Sequence, residues 1–230
     1  MFLGHVGVAL AAKRPAPEVS LGGFMVAANW LDLVWPLFLL LGWEQLRIDP
    51  GNTVVTPLDF TAYPWTHSLL MVVVWSVLLG VPLGWRHRSW RVGGLIAALV
   101  VSHWALDWIV HRPDLPLLPG ASSLYGLGLW NSIPLSLTVE AAFFLGGAAV
   151  YVIATRPKDR LGVWGFWSMI ALFAVIYLAN VFGPPPPSAE AVAWVGLLAW
   201  LFPIWAWWAD SHRESLAPQH TKLEQVTQGG

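Results

Sequence analysis

Residues 91–111 read RVGGLIAALVVSHWALDWIVH, and this stretch decides the class of fold. The run is long enough to cross about 30 Å of hydrocarbon, which takes roughly 20 helical residues. It nevertheless carries His103, Asp107 and His111. Working outward, comparable apolar runs lie at 19–43, 65–85, 130–154, 162–182 and 190–209. Phe2–Ala12 is apolar but too short to span, and it reads as a half-helix dipping into the bilayer, a form tolerated only when packed against protein. Ala9-Leu10-Ala11 resembles a signal cleavage site, but no basic residue precedes the apolar part, so a cleaved leader is not expected. The prediction is an all-α, polytopic transmembrane helical bundle of about six spans plus a short N-terminal half-helix. Residues 1–212 form the membrane-embedded domain, and the polar stretch 213–230 is read as a disordered cytoplasmic tail.

Composition agrees. The chain is 57% hydrophobic and 11% charged with mean hydropathy +0.60, whereas soluble domains carry about a quarter charged residues. That excludes an ordinary soluble enzyme, a disordered chain and a coiled coil. A net charge of −1 and pI ≈ 6.6 provide no basic field to hold nucleic acid. With no cysteine, disulfides, thiolate ligands and cysteine nucleophiles are all excluded, so any metal must be held by His, Asp or Glu.

Ten of the twelve Lys and Arg fall on alternate connections: Lys13, Arg14, Arg86, Arg88, Arg91, Arg156, Lys158, Arg160, Arg213 and Lys222. Only Arg47 and Arg112 fall on the other side. Basic excess marks the cytoplasmic side, which implies an integral membrane protein with a cytoplasmic C-terminus. Trp43, Trp65 and Trp130 then sit at the outer boundary and Trp85, Trp90, Trp164 and Trp208 at the inner one, where indoles collect. Gly183 and Pro184–Pro187 make a stiff linker.

Ionisable groups inside hydrocarbon are costly and mark a functional site by default. The interiors of 162–182 and 190–209 carry no Asp, Glu, Lys, Arg or His, so the candidate chemistry lies within residues 1–140. In His103-x-x-x-Asp107-x-x-x-His111, each step of four advances about 6 Å along a helix and only about 40° around it, so the three side chains share one stripe. Imidazole and carboxylate at that spacing bind one ion together, while the third group reaches a second ion or a water; hydrogen bonding to neighbouring helices is the plainer alternative. Asp32 sits mid-span, where a carboxylate must be neutralised, paired or metal-bound. His67 opens a span and reads equally as ligand or interfacial anchor. His5 lies in Gly4-His5-Val6-Gly7, whose glycines permit close helix approach. Glu140 is a candidate ligand, general base or partner orienting a ligand histidine, or a protonated acid between helices. Arg112 reads as a clamp for an anionic group or as a snorkelling residue. No serine elbow, P-loop or dinucleotide fingerprint is present.

The ordered set His5, Asp32, Thr66-His67-Ser68 and His103-x-x-x-Asp107, with the His111–Asp114 run, resembles a family of bacterial inner-membrane proteins described as metal-dependent hydrolases. Members often have Asp-x-Asp where this chain has Asp32 alone, and His-Arg-Gly where it has Ala62-Tyr63-Pro64-Trp65. More distantly, the order is similar to the zinc-dependent phospholipase C and single-strand nuclease group, all-helical enzymes that hydrolyse phosphoesters. That similarity implies that Asp32, His67, His103 and Asp107 surround one zinc, that His5 shares Asp107 with a second, and that His111 serves another. The expectation is therefore a zinc-type hydrolase within the lipid bilayer, acting near the outer face on a phosphoester or lipidic substrate, with Glu140 and Arg112 as catalytic candidates. A transporter using Asp32, Asp107 and Glu140 as a proton or cation relay, and a silent scaffold, are the other readings.

Overall fold

Helix starts follow sequence-local caps. Ser20 accepts from the Gly23 N–H at 3.2 Å and opens α2 (Leu21–Ala28). Ser89, Asp159 and Ser188 do the same for α5 (Trp90–Val110), α7 (Arg160–Phe182) and α8 (Ala189–Leu197). The remaining helices are α1 (Phe2–Ala11), α3 (Trp30–Leu40), α4 (Leu69–Arg86), α6 (Ile133–Ala154) and α9 (Leu201–Ser211). The computed structural model describes residues 1–216, and they form an all-α bundle trimmed by three two-stranded antiparallel pairs. Among the described residues five helices are long and apolar enough to cross a bilayer, counting Ala189–Ser211 as one, and the bent α2–α3 pair makes a sixth if it is a single span. Their outward faces carry Val77, Leu78, Leu145, Ile153, Val175 and Ile204, all exposed, a surface that fits lipid and not water. Trp85, Trp90 and Trp164, 70% exposed or more, ring the end that carries the basic loops.

The structure differs from the sequence expectation at three places. The run 19–43 is not one continuous helix: it breaks at Asn29, and the two parts meet at 56°. The Asn29 side chain donates to the Met25 carbonyl at 2.9 Å, which competes with the helical ladder. Residues 190–209 are divided by a 3-10 turn at Leu198–Trp200. Arg213–Ser215, expected to begin the tail, instead form β6, paired with β5 (Thr155–Pro157). The rest of the proposed tail, 217–230, lies outside the described residues.

The basic end is held by buried polar contacts. Asp210 accepts from Lys13 Nζ at 2.8 Å, the Leu21 N–H at 3.0 Å and Tyr151 OH at 2.7 Å, tying α2, α6 and α9 together. Arg213 donates to Thr155 Oγ1 and the Gly162 carbonyl. At the opposite end, β1 (Gln45–Ile48) and β2 (Leu58–Ala62) form a hairpin, and β3 (Leu115–Pro116) pairs with β4 (Leu124–Tyr125). The segment after β4 closes α5: the Leu127 and Gly128 N–H groups donate to the Trp108 and His111 carbonyls at 2.8 and 2.7 Å. A Cβ on Gly126 would meet the His111 carbonyl oxygen at 2.5 Å and crowd Arg112. Gly126→Ala is expected to cost about 1–3 kcal/mol, read as a lower Tm in detergent, because backbone rather than a pliable side chain fills the space.

Two helix contacts position the site. α1 packs on α6 at Gly7 and Gly147, where a Cβ on Gly147 would stand 2.6 Å from the Gly7 carbonyl carbon. The sequence expectation that glycines beside His5 permit close approach is met at Gly7. The start of α1 is pinned by Glu140, which accepts the Phe2 and Gly4 N–H groups at 3.1 and 2.9 Å. Four N–H groups at a helix start lack internal partners, and the Glu140 carboxylate satisfies two of them and favours the helix dipole.

Candidate metal centre

His103 and Asp107 stand one turn apart on α5, with His103 Nε2 3.2 Å from Asp107 Oδ2. Asp32, just beyond the break in α2–α3, places Oδ1 3.5 Å from His103 Nε2 and 3.6 Å from His67 Nε2. His67, in the turn before α4, is 3.7 Å from Asp107 Oδ2. Two sets of three ligand atoms thus meet at His103, each within 4.8 Å: Asp32, His67 and His103 in one, and His5, His103 and Asp107 in the other. His5 joins from α1, with Nε2 3.0 Å from Asp107 Oδ1 and its ring stacked on His103 at 3.6 Å between centroids. The Met1 amino group also contacts Asp107 Oδ1, while Oδ2 faces His103 and His67.

Hydrogen bonds fix which imidazole nitrogens are bare. His103 Nδ1 is 2.8 Å from the Ala28 carbonyl, so it carries the proton and leaves Nε2 with a lone pair. That carbonyl lies at the α2–α3 break. Thr66 Oγ1 donates to Glu44 Oε2 at 2.8 Å, so at 2.6 Å it accepts from His67 Nδ1, and His67 Nε2 is bare as well. Glu44 Oε1 takes the Trp65 and Thr66 N–H groups, both at 2.8 Å. Burial pushes the Glu44 carboxyl above its usual range, and these bonds and His67 pull against it.

The residues fit a divalent cation. Imidazole with carboxylate is a zinc donor set. Ligands about 2.0–2.2 Å from a shared ion stand about 3.3–3.6 Å apart, and Asp32 meets that spacing with both His67 and His103. His103 Nε2 is fully buried and has no hydrogen-bond partner, the costly state that a bound ion removes. His5, His67, His103 and Asp107 are buried, but the Asp32 side chain is 45% exposed, so the centre opens on that side alone among its five residues.

Other candidates lie elsewhere. His111 does not extend the stripe, because α5 ends at Val110 and His111 is extended (ψ 147°) ahead of Pro113. Its Nδ1 meets Asp114 Oδ1 at 3.0 Å, beside Tyr63, whose hydroxyl donates to Asp114 Oδ1 at 2.6 Å. Burial and the Asp114 charge push the Tyr63 phenol well up. Arg112 contacts Asp59, which also accepts from Arg47 Nε at 3.0 Å, and so does not point a free guanidinium at the centre. Glu140 holds α1 rather than a ligand atom, and it acts on the centre through His5.

Glu44 and Thr66 were not singled out by the sequence. Thr66 lies in the Thr-His-Ser triplet, but a glutamate in a connecting loop carries no signal of its own. Glu44→Gln is expected to weaken divalent metal binding about 10–100-fold in a chelator competition while Tm stays near wild type, the usual effect of loosening a ligand's support. Compared with known protein families, curated proteins and solved structures, the chain finds no match in any of the three.

Proposed function

We propose that the chain is a membrane-embedded, zinc-type metal-dependent hydrolase of the bacterial inner membrane. Its basic end lies in the cytoplasm, and its centre opens towards the outer leaflet. What carries the reading is the approach of Asp32 and Asp107 to 3.5 and 3.2 Å from the bare, unpartnered Nε2 of His103, with His67 Nε2 3.6 Å from Asp32. Asp32, His67, His103 and Asp107 would hold the ion, with His5 on the far oxygen of Asp107. When bound, a divalent ion supplies Lewis acidity and acidifies a coordinated water towards neutrality.

The chain's own groups do the rest. Glu44 and Thr66 fix the His67 tautomer, and the Ala28 carbonyl fixes that of His103. The buried faces of His5 and Asp107 keep water from the back of the site, and substrate approaches over half-exposed Asp32. The depth of the centre favours a lipidic ester or phosphoester as substrate. With Arg112 engaged by Asp59, the phosphoester preference rests on the resemblance above. The test is elemental analysis of protein purified in mild detergent from zinc-replete cells. About one tightly held divalent ion per chain is expected; none, in protein that remains folded, overturns the reading.

A further inference from the structure

Residues 115–139 contain no Asp, Glu, Lys, Arg or His, yet most of that stretch is not helix but the β3–β4 ribbon and the loop leading to α6. Leu118, Leu124, Tyr125 and Leu127 are 40–62% exposed there. Apolar side chains exposed together mark an interaction surface. The other connection at this end is built differently: it carries Glu44, Arg47, Asp49 and Asp59. The ribbon hangs from the ends of two lipid-facing helices. The Leu117 carbonyl accepts the Leu70 N–H of the first turn of α4 at 3.0 Å, and the Trp108 carbonyl of the last turn of α5 accepts the Leu127 N–H at 2.8 Å. Leu70 and Trp108 are themselves exposed, and Leu70 heads the α4 face that continues through Val73, Val74 and Val77. α4 has 18 residues and ends at Arg86. Its rise of about 27 Å falls short of a hydrocarbon layer of about 30 Å, so its apolar face runs out before the layer does. Leu117 and Leu118 stand where it runs out.

We infer that the β3–β4 ribbon and the Leu127 loop are embedded in the leaflet away from the basic end, with Leu118, Leu124 and Leu127 among the upper acyl chains. The surface they form is covered by lipid, as a continuation of the α4 and α5 faces. The absence of charge removes the largest cost of leaving water. The backbone is also prepared for that depth, where unpaired polar groups are costly. Leu115 pairs with Tyr125 and Pro116 with Leu124, and the Ala121 N–H donates to the Leu118 carbonyl at 3.1 Å. Pro116 and Pro119 have no N–H to satisfy. Tyr125 is an aromatic of the kind that collects at the boundary. Because His67 precedes Leu70 by only three residues, the ribbon also fixes its depth, directly beneath the headgroups. None of this depends on a metal being held there.

The chain has no cysteine, so single cysteines report position without background. The test places Leu118→Cys, Leu127→Cys, mid-span Val77→Cys and Pro50→Cys, in the turn of the charged β1–β2 hairpin, in the full chain. All four positions are exposed, so Tm should stay near wild type. Each is labelled with a nitrobenzoxadiazole fluorophore and reconstituted into phosphatidylglycerol and phosphatidylethanolamine vesicles containing lipid brominated on its acyl chains. Quenching at 118 and 127 is expected to approach that at 77 and to exceed that at 50 by about three-fold or more, as hydrocarbon depth requires. Without the fluorophore, the Leu118→Cys and Leu127→Cys thiols should react with a charged maleimide about ten-fold more slowly than the Pro50→Cys thiol, because an apolar setting resists thiolate formation. Quenching and reactivity at 118 and 127 equal to those at 50, in folded protein, overturn the assignment. Disulfide cross-linking of two copies through either position also overturns it, since the surface would then be a protein interface. Metal content is read separately, so the embedded ribbon and the metal centre stand or fall independently.

Discussion

Asp107→Ala is expected to strip the divalent ion from the purified protein and to lower hydrolysis of a lipid ester or phosphoester by on the order of a thousand-fold. Both oxygens of this carboxylate are in use. Oδ1 meets His5 Nε2 at 3.0 Å, and Oδ2 faces His103 at 3.2 Å and His67 at 3.7 Å. Without it, three imidazoles point at one another with a single, half-exposed Asp32 to balance a 2+ ion. Loss of a supporting residue already weakens metal binding about 10–100-fold, so loss of a shared ligand is expected to exceed that. The truncation should also destabilise the fold by about 3–5 kcal/mol, since it leaves buried partners uncompensated. Asp107→Asn separates the two effects: it keeps the shape and one acceptor, so Tm should fall less while the ion is still lost. Elemental analysis, turnover in mixed micelles and thermal melting on both variants give the answer. A folded Asp107→Ala protein that keeps its full complement of metal removes this centre from consideration.

The second large effect is expected far from any ligand. A valine at Gly147 cannot fit, because even its Cβ would stand 2.6 Å from the Gly7 carbonyl carbon, and the obstruction is backbone on both sides. α1 must move off α6, which takes the Phe2 and Gly4 N–H groups away from Glu140 and His5 away from Asp107. A loss of about 3 kcal/mol or more is expected, at the upper end for overpacked sites, with metal lost alongside stability. Gly146→Val is the control one position away: a Cβ there meets nothing within 4 Å, so it should melt close to wild type. Equal Tm values for the two variants would show that α1 does not depend on this contact.

Much of the architecture is legible in the sequence because hydrocarbon enforces a simple rule: a run of about 20 apolar residues becomes a helix. The α5 stripe is legible for the same reason, since His103 and Asp107 cannot avoid sharing a face at a spacing of four. That rule stops where the helix stops. His111 obeys the spacing, but the backbone has turned extended at that residue, so its ring goes to Asp114. The break at Asn29 is harder to read, because nothing in an unbroken apolar run announces that an asparagine side chain will take a carbonyl from its own helix. Contacts that join a side chain to a distant backbone leave no local mark at all. Glu140 accepts N–H groups more than 130 residues away, and Glu44 reaches His67 through Thr66. Each carboxylate looks in sequence like any acid in a span or a loop.

The pairing of α1 with Glu140 bears on how the chain is assembled. Its amide groups have no carboxylate to meet until more than a hundred further residues have been synthesised and inserted. Until α6 arrives, the start of the half-helix has no anchor, so ribosome-bound chains that stop short of residue 140 should leave α1 open to protease. The side chains that meet at His103 all come earlier in the chain than the carboxylate that clamps α1, so their final arrangement waits on a helix that contributes none of them.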